Sequence, residues 1–202
     1  VCSCSPRMHE ATFRKAAERA GINPYMVEIA NIREHVSWIH KDMEEYIEAK
    51  RNVLRHQNAF SVAVLNADNV ITKSMAELVR GELRWFSHLN PVSNGAYLRE
   101  DGMLCYCEHG KTTELFHRSE IKIPGLHNVE NYLTAIAATW GEVSLETMYS
   151  VAKNFGGVEH RIERVRTLDG VTYYNSSIDS SPTRTAAALS ALSRLTSQQY
   201  FK

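Results

Sequence analysis

Four places in the sequence set ligand-binding or reactive side chains where a fold could use them. The first is Lys50. Across residues 42–57 the apolar residues Met43, Tyr46, Ile47, Val53 and Leu54 make one stripe of a helix, and Lys50 stands in its middle. An ammonium there must snorkel to water, find a partner or change its chemistry. On pattern alone a snorkelling surface lysine is the plainer reading. The second is the run Asn175-Ser176-Ser177-Ile178-Asp179-Ser180-Ser181-Pro182, between a strand pattern and a helix pattern. Free amides and hydroxyls at a helix start suit a carboxylate or phosphate. Simple capping by Ser and Asp explains the same residues. The third is His127-Asn128-x-x-Asn131. Its two asparagines lie three apart at a helix start, on one face. Their amides offer a donor and an acceptor together, as an adenine edge requires, although N-capping accounts for the spacing equally well. The fourth, Gly110-Lys111-Thr112-Thr113, imitates the end of a phosphate-binding loop. That loop needs a glycine where Cys105 stands and a helix where a strand pattern follows, so a hairpin turn is the reading.

The elements that must position these groups alternate. A helix is expected over residues 8–20, ended by Gly21, and a strand from Tyr25 to Ala30. The helix at 42–57 is followed by a buried strand from Phe60 to Leu65. Residues 83–123 read as antiparallel strands, with turns at Asp101-Gly102 and Gly110-Lys111. From His127 the apolar positions Val129, Tyr132, Leu133, Ile136, Ala137 and Trp140 keep helical spacing. A second helix covers 144–154. Two strands flank the Asp169-Gly170 turn, and a last helix opens at Ser181-Pro182. The pattern is that of an α/β fold.

Composition narrows the partners. Charge is balanced, 23 basic against 23 acidic residues, which gives bulk electrostatics no preference for nucleic acid or an anionic membrane. No apolar run reaches the roughly 20 residues of a membrane-spanning helix, and no basic-then-apolar leader pattern opens the chain. Cysteines stand in two close pairs, Cys2/Cys4 and Cys105/Cys107. The second pair would share one face of one strand, which suits a disulfide poorly, and a reduced, cytoplasmic chain is expected. The nine histidines show no metal-binding spacing.

Five motifs together resemble the Mur ligase family. They are Tyr46-x-x-x-Lys50; Val64-Leu65-Asn66-Ala67-Asp68; Gly125-x-His127-Asn128-x-x-Asn131-x-x-Thr134-Ala135; Glu159-His160-Arg161-x-Glu163; and Tyr174-Asn175-Ser176-Ser177. Order and spacing fit from about residue 40 to 195, most closely the members that add D-glutamate to UDP-N-acetylmuramoyl-L-alanine. The resemblance implies an ATP-dependent ligase of peptidoglycan precursor synthesis. Such an enzyme makes an amide through an acyl phosphate, with ATP and Mg²⁺. Lys50 matches the lysine that the family carbamylates into a Mg²⁺ ligand. Asn128 and Asn131 match the asparagines on adenine, and Arg161 a contact to the ribose. Ser176 falls at a substrate-binding position, and Ser180 matches a hydroxyl that holds the incoming amino acid's carboxylate. The fold implied is the C-terminal part of a central ATPase domain, residues 41–157, then the start of a Rossmann-like C-terminal domain, residues 158–202.

The chain also departs from the family. Where many members carry Asn-Asp-Ser-Lys it has Asn175-Ser176-Ser177-Ile178, so a ribose-binding acid and a substrate-binding lysine are missing at those places. Asp179 is a candidate replacement for the acid. Val36 stands where the family has a magnesium-binding histidine, and the sequence contains no phosphate-binding loop. Residues 3–40 are similar instead to the A subunit of heterodisulfide reductases, through Cys4-Ser5-Pro6-Arg7-Met8-His9-Glu10, Asn23-Pro24-Tyr25, and Ala30-Asn31-Ile32-Arg33-Glu34-x-x-Ser37-Trp38. That family binds flavin and iron–sulfur clusters, but one Cys pair falls short of a cluster's four thiolates. The expectation is a chimera joined near residues 40–42, whose ligase part is a fragment without turnover of its own. Two other functions compete: an oxidoreductase subunit fragment, and a non-catalytic nucleotide-binding remnant.

Overall fold

The computed structural model describes residues 41–177, the strand backbone of 27–30, and residues 185, 186 and 188–192 near the C-terminus. The helix expected at 8–20 lies outside the described residues. Strand β1 (Val27–Ala30) is followed by α1 (Met43–Arg55), β2 (Val62–Asn66), the short α2 (Val70–Ser74) and β3 (Glu82–Ser87). Then come β4 (Gly95–Leu98), β5 (Met103–Glu108), β6 (Lys111–His117), α3 (Leu126–Thr139) and α4 (Leu145–Asn154). The hairpin β7 (Glu163–Leu168) and β8 (Val171–Asn175) closes the series.

The first six strands form one sheet in sequence order. Strands β1 to β4 run parallel, and β5 and β6 are antiparallel additions. This corrects part of the sequence expectation. Only β4, β5 and β6 pair antiparallel, while β3 runs parallel to both of its neighbours. Asn90-Pro91 and Asn94-Gly95 look like hairpin punctuation in sequence, yet residues 88–94 carry the chain back along the sheet before β4 starts. Gly95 makes that return possible. Its φ is +136°, and a Cβ there would sit 1.9 Å from the Trp85 carbonyl oxygen.

Strand β2 shows how the layers arise. Every residue in Val62-Ala63-Val64-Leu65-Asn66 is buried, as in a central parallel strand covered on both faces. Alternate side chains feed two cores. Val62 and Val64 join Phe86, Leu104, Tyr106, Leu133 and Ile136 beneath α3, while Ala63 and Leu65 join Tyr46, Leu54 and Met75 beneath α1. Helix α1 begins where the Asp42 carboxylate accepts from the Glu45 amide at 2.9 Å. Helix α3 lies antiparallel to β3. The Arg84 guanidinium donates to the carbonyls of Ala137 and Trp140, each at 3.0 Å, and so closes the helix's C-terminal end. Its N-terminal end therefore reaches the edge where the parallel strands finish, which is where open α/β sheets place their ligands.

Candidate functional site

Helix α3 starts at Gly125, whose φ of +104° turns the chain out of the preceding loop. A Cβ there would meet the His127 ring at 2.6 Å. A cleft of about 550 Å³ opens against this first turn. One wall is Pro124, His127, Asn131 and Tyr132, and the other is Phe155, Val158, Arg161 and Tyr174. Its size and largely apolar lining suit a small organic ligand, with a few polar groups to fix orientation. Lys122, Arg161 and Arg164 give the rim positive charge.

Inside the cleft the two asparagines are linked. Asn128 Nδ2 donates to the Pro124 carbonyl at 2.6 Å, and Asn128 Oδ1 accepts from Asn131 Nδ2 at 3.3 Å. A carbonyl can only accept, so the first contact fixes which way the Asn128 amide points. The second then turns the Asn131 amide group toward Asn128. Asn128 is buried, whereas Asn131 is exposed to the cleft. Residues 160–162 form the other wall's turn. His160 and Ile162 both have positive φ, +64° and +49°, on either side of Arg161. For a β-branched residue such as Ile162 that conformation is costly, and neighbouring contacts hold it. Ser176 Oγ accepts from the Ile162 amide at 3.1 Å, and the Glu163 carboxylate accepts from the His160 amide at 2.8 Å.

Of the residues expected from sequence, Asn128, Asn131 and Arg161 line this one cleft. Ser176 sits behind it, anchoring the turn that carries Arg161. Ser180 and Asp179 lie outside the described residues, as does Val36. Lys50 is elsewhere, half-buried on α1, with Nζ 5.1 Å from the centre of the Tyr46 ring. A cation over an aromatic face one turn away fits its place in the apolar stripe. The Gly110-Lys111 segment is the β5–β6 turn and is followed by strand, as its sequence context requires. Cys105 and Cys107 are free thiols on β5, and burial pushes the Cys105 thiol up from its ordinary value. No ligand role was read from sequence for the lining residues Tyr132, Phe155 and Tyr174. Tyr132 reads as one more apolar position of α3, Tyr174 enters only as the first residue of a motif, and nothing local distinguishes Phe155. Among the described residues no three His, Cys, Asp or Glu side chains are grouped so as to hold a metal ion.

The model of the Mur ligase middle domain matches residues 8–139. The chain is 48% identical over 166 residues to a UDP-N-acetylmuramoylalanine--D-glutamate ligase of Ruminiclostridium cellulolyticum, covering 82% of this chain and 36% of that protein. It is 45% identical over 173 residues to one of Clostridium kluyveri, covering 86% and 37%. It thus spans about a third of the length of these curated relatives. Solved structures share the fold. A murein peptide ligase from Psychrobacter arcticus 273-4 superposes with a TM-score of 0.55 at 18% identity, over 85% of this chain and 36% of that one. A MurF from Acinetobacter baumannii gives 0.55 at 18%, over 74% and 33%. The matched middle domain, carried on more than half of the sequence, makes this chain a member of the Mur ligase family.

Proposed function

We propose that this chain carries the adenine-binding side of an ATP-dependent ligase that joins D-glutamate to UDP-N-acetylmuramoyl-L-alanine in the cytoplasm. The observation behind this reading is the convergence of Asn128, Asn131 and Arg161 on one cleft at the start of α3. Names of relatives supply the substrates, and the cleft supplies the nucleotide. Asn131 spends one N–H on Asn128, which leaves its carbonyl oxygen and its second N–H for a ligand, and the oxygen suits the exocyclic amine of adenine. Tyr132, Phe155 and Tyr174 give the base apolar and aromatic walls, and Arg161 faces the ribose and phosphates from the opposite side.

Mg²⁺ fits the described residues incompletely. Lys50, once carbamylated, supplies one oxygen ligand, and a magnesium site needs several. No step is therefore routed through the metal. In this reading residues 41–157 belong to the central domain and 158–202 to the next, with the cleft at their boundary. Residues 1–40 are read as foreign, joined near His40-Asp42, although the middle-domain match begins at residue 8; a long DNA read across codons 35–45 that runs upstream into ligase sequence, with a histidine in place of Val36, would make the join an artefact, and a read that keeps the join would make the protein a fusion. Without a phosphate-binding loop in its sequence, this chain binds nucleotide and does not turn it over.

The test is calorimetric titration of the 202-residue chain with ADP and, separately, GDP. ADP binding with GDP at least about tenfold weaker supports the adenine reading. Equal binding of the two, or none, refutes it. Phosphate release from ATP that depends on UDP-N-acetylmuramoyl-L-alanine and D-glutamate would show the chain to be a working ligase and overturn the binding-only assignment.

A further inference from the structure

A second set of polar groups lies where the parallel strands end, away from the cleft lining. Asp68, just after β2, accepts from Ser87 Oγ at 2.6 Å through one oxygen and from the His88 amide at 2.8 Å through the other. His88, just after β3, places Nδ1 3.1 Å from that second oxygen and 3.0 Å from Glu130 Oε1 of α3. Both carboxylates are nearly enclosed, with side chains 8% and 9% exposed, and the imidazole is 20% exposed. Neither Nδ1 contact has hydrogen-bond alignment, so the ring bridges the two carboxylates by proximity. Removing the ring takes away the one group that lies within ion-pair distance of both carboxylates.

We infer that His88 is a positioning residue for the nucleotide cleft, clamping the first turns of α3 to the sheet through Glu130. The inference rests on the nucleotide reading above for its functional consequence, though not for its structural one. Strand β3 grips α3 at both ends. Arg84 holds the carbonyls of Ala137 and Trp140, and His88, four residues on, holds Glu130. Glu130 lies between Asn128 and Asn131 in the sequence, so this tether sets the helix's rotation where Asn131 must aim. Neither His88 nor Glu130 lines the cleft.

The experiment measures backbone amide exchange by mass spectrometry, together with ADP titration, on the full chain. In His88→Ala, exchange over residues 126–134 should rise about tenfold while residues 135–139, held by Arg84, keep their protection. ADP should bind about tenfold more weakly, and His88→Arg, which again sets a nitrogen donor between the carboxylates, should recover both readouts. Glu130→Gln keeps the side chain's shape and removes its charge; it should reproduce the exchange change and serves if His88→Ala fails to fold. Unchanged exchange over 126–134 in the folded variants, or no recovery in His88→Arg, overturns the inference. Wild-type chain that does not bind ADP, with the exchange change still present, refutes the nucleotide reading and leaves the clamp standing.

Discussion

The sheet beneath α3 and the β7–β8 ribbon use the same strand chemistry with opposite results. In the sheet, Phe86, Leu104 and Tyr106 are 0% exposed. In the ribbon, Val165, Leu168, Val171 and Tyr173 are 45–58% exposed, although its strands carry β-branched and aromatic residues too. Cover makes the difference. Each side chain under α3 meets both the strand beside it and the helix above it, whereas a two-stranded ribbon has only its own partner strand and is marginal alone. Polar contacts such as Ser176 to Ile162 and Asn175 to His160, the latter at 2.9 Å, close the base of the ribbon where its two ends meet. The nucleotide cleft thus has one wall built on a finished core and one hung on a few hydrogen bonds.

The largest test of this contrast is a pair of truncations. Phe86→Ala should destabilise the chain by about 3–5 kcal/mol, as deep cavities do, while Val165→Ala should stay within about 0.5 kcal/mol. Urea unfolding followed by circular dichroism measures both. A loss above about 2 kcal/mol for Val165→Ala would mean the ribbon is covered in solution, and the contrast would fail.

A smaller test compares the two walls through the ligand. Asn131→Ala, on the helix wall, should weaken ADP binding about tenfold, the value of one well-placed hydrogen bond to the base. Ser176→Ala, behind the ribbon wall, removes an anchor of the turn carrying Arg161 and should cost only about two- to threefold. Calorimetry on both variants ranks the walls. If Ser176→Ala costs more, the ribbon is the wall that organises the site.

How far the sequence foretold this arrangement follows the same division. Helix α3 was legible because Val129, Leu133 and Ile136 repeat at helical spacing, and the two asparagines at its start stood out by motif. Strand β2 was legible as an unbroken apolar run. The direction of β3 was not, because Asn90-Pro91 and Asn94-Gly95 signal a turn without saying whether the chain reverses or returns. The His88–Glu130 contact was invisible for a different reason. Its partners are 42 residues apart (130 − 88), and each taken singly is an ordinary polar residue. Long-range polar pairing leaves no local pattern. Lys50 was legible as an anomaly in the stripe of α1, and its ring contact with Tyr46 gives that anomaly a structural account.

The smallest effect concerns Tyr106, which stacks on Trp140 at 3.8 Å within the covered region. Its hydroxyl is buried with no hydrogen-bond partner. Burial pushes its phenol up from 10.0 to about 12. The sign follows from linkage. A group whose folded value is raised binds its proton more tightly in the folded chain, so its contribution is complete below pH 10 and fades as pH rises through about 12. Tyr106→Phe removes an unpaired hydroxyl and keeps the ring on Trp140, so at neutral pH its stability should stay within about 1 kcal/mol of wild type, on the favourable side. Between pH 10 and 12 the wild-type chain should lose stability relative to Tyr106→Phe. Parallel pH-dependent melts would show this as a widening gap in Tm. A gap that stays constant would mean the hydroxyl reaches water, and that the covered sheet is more open around β5 than its packing indicates.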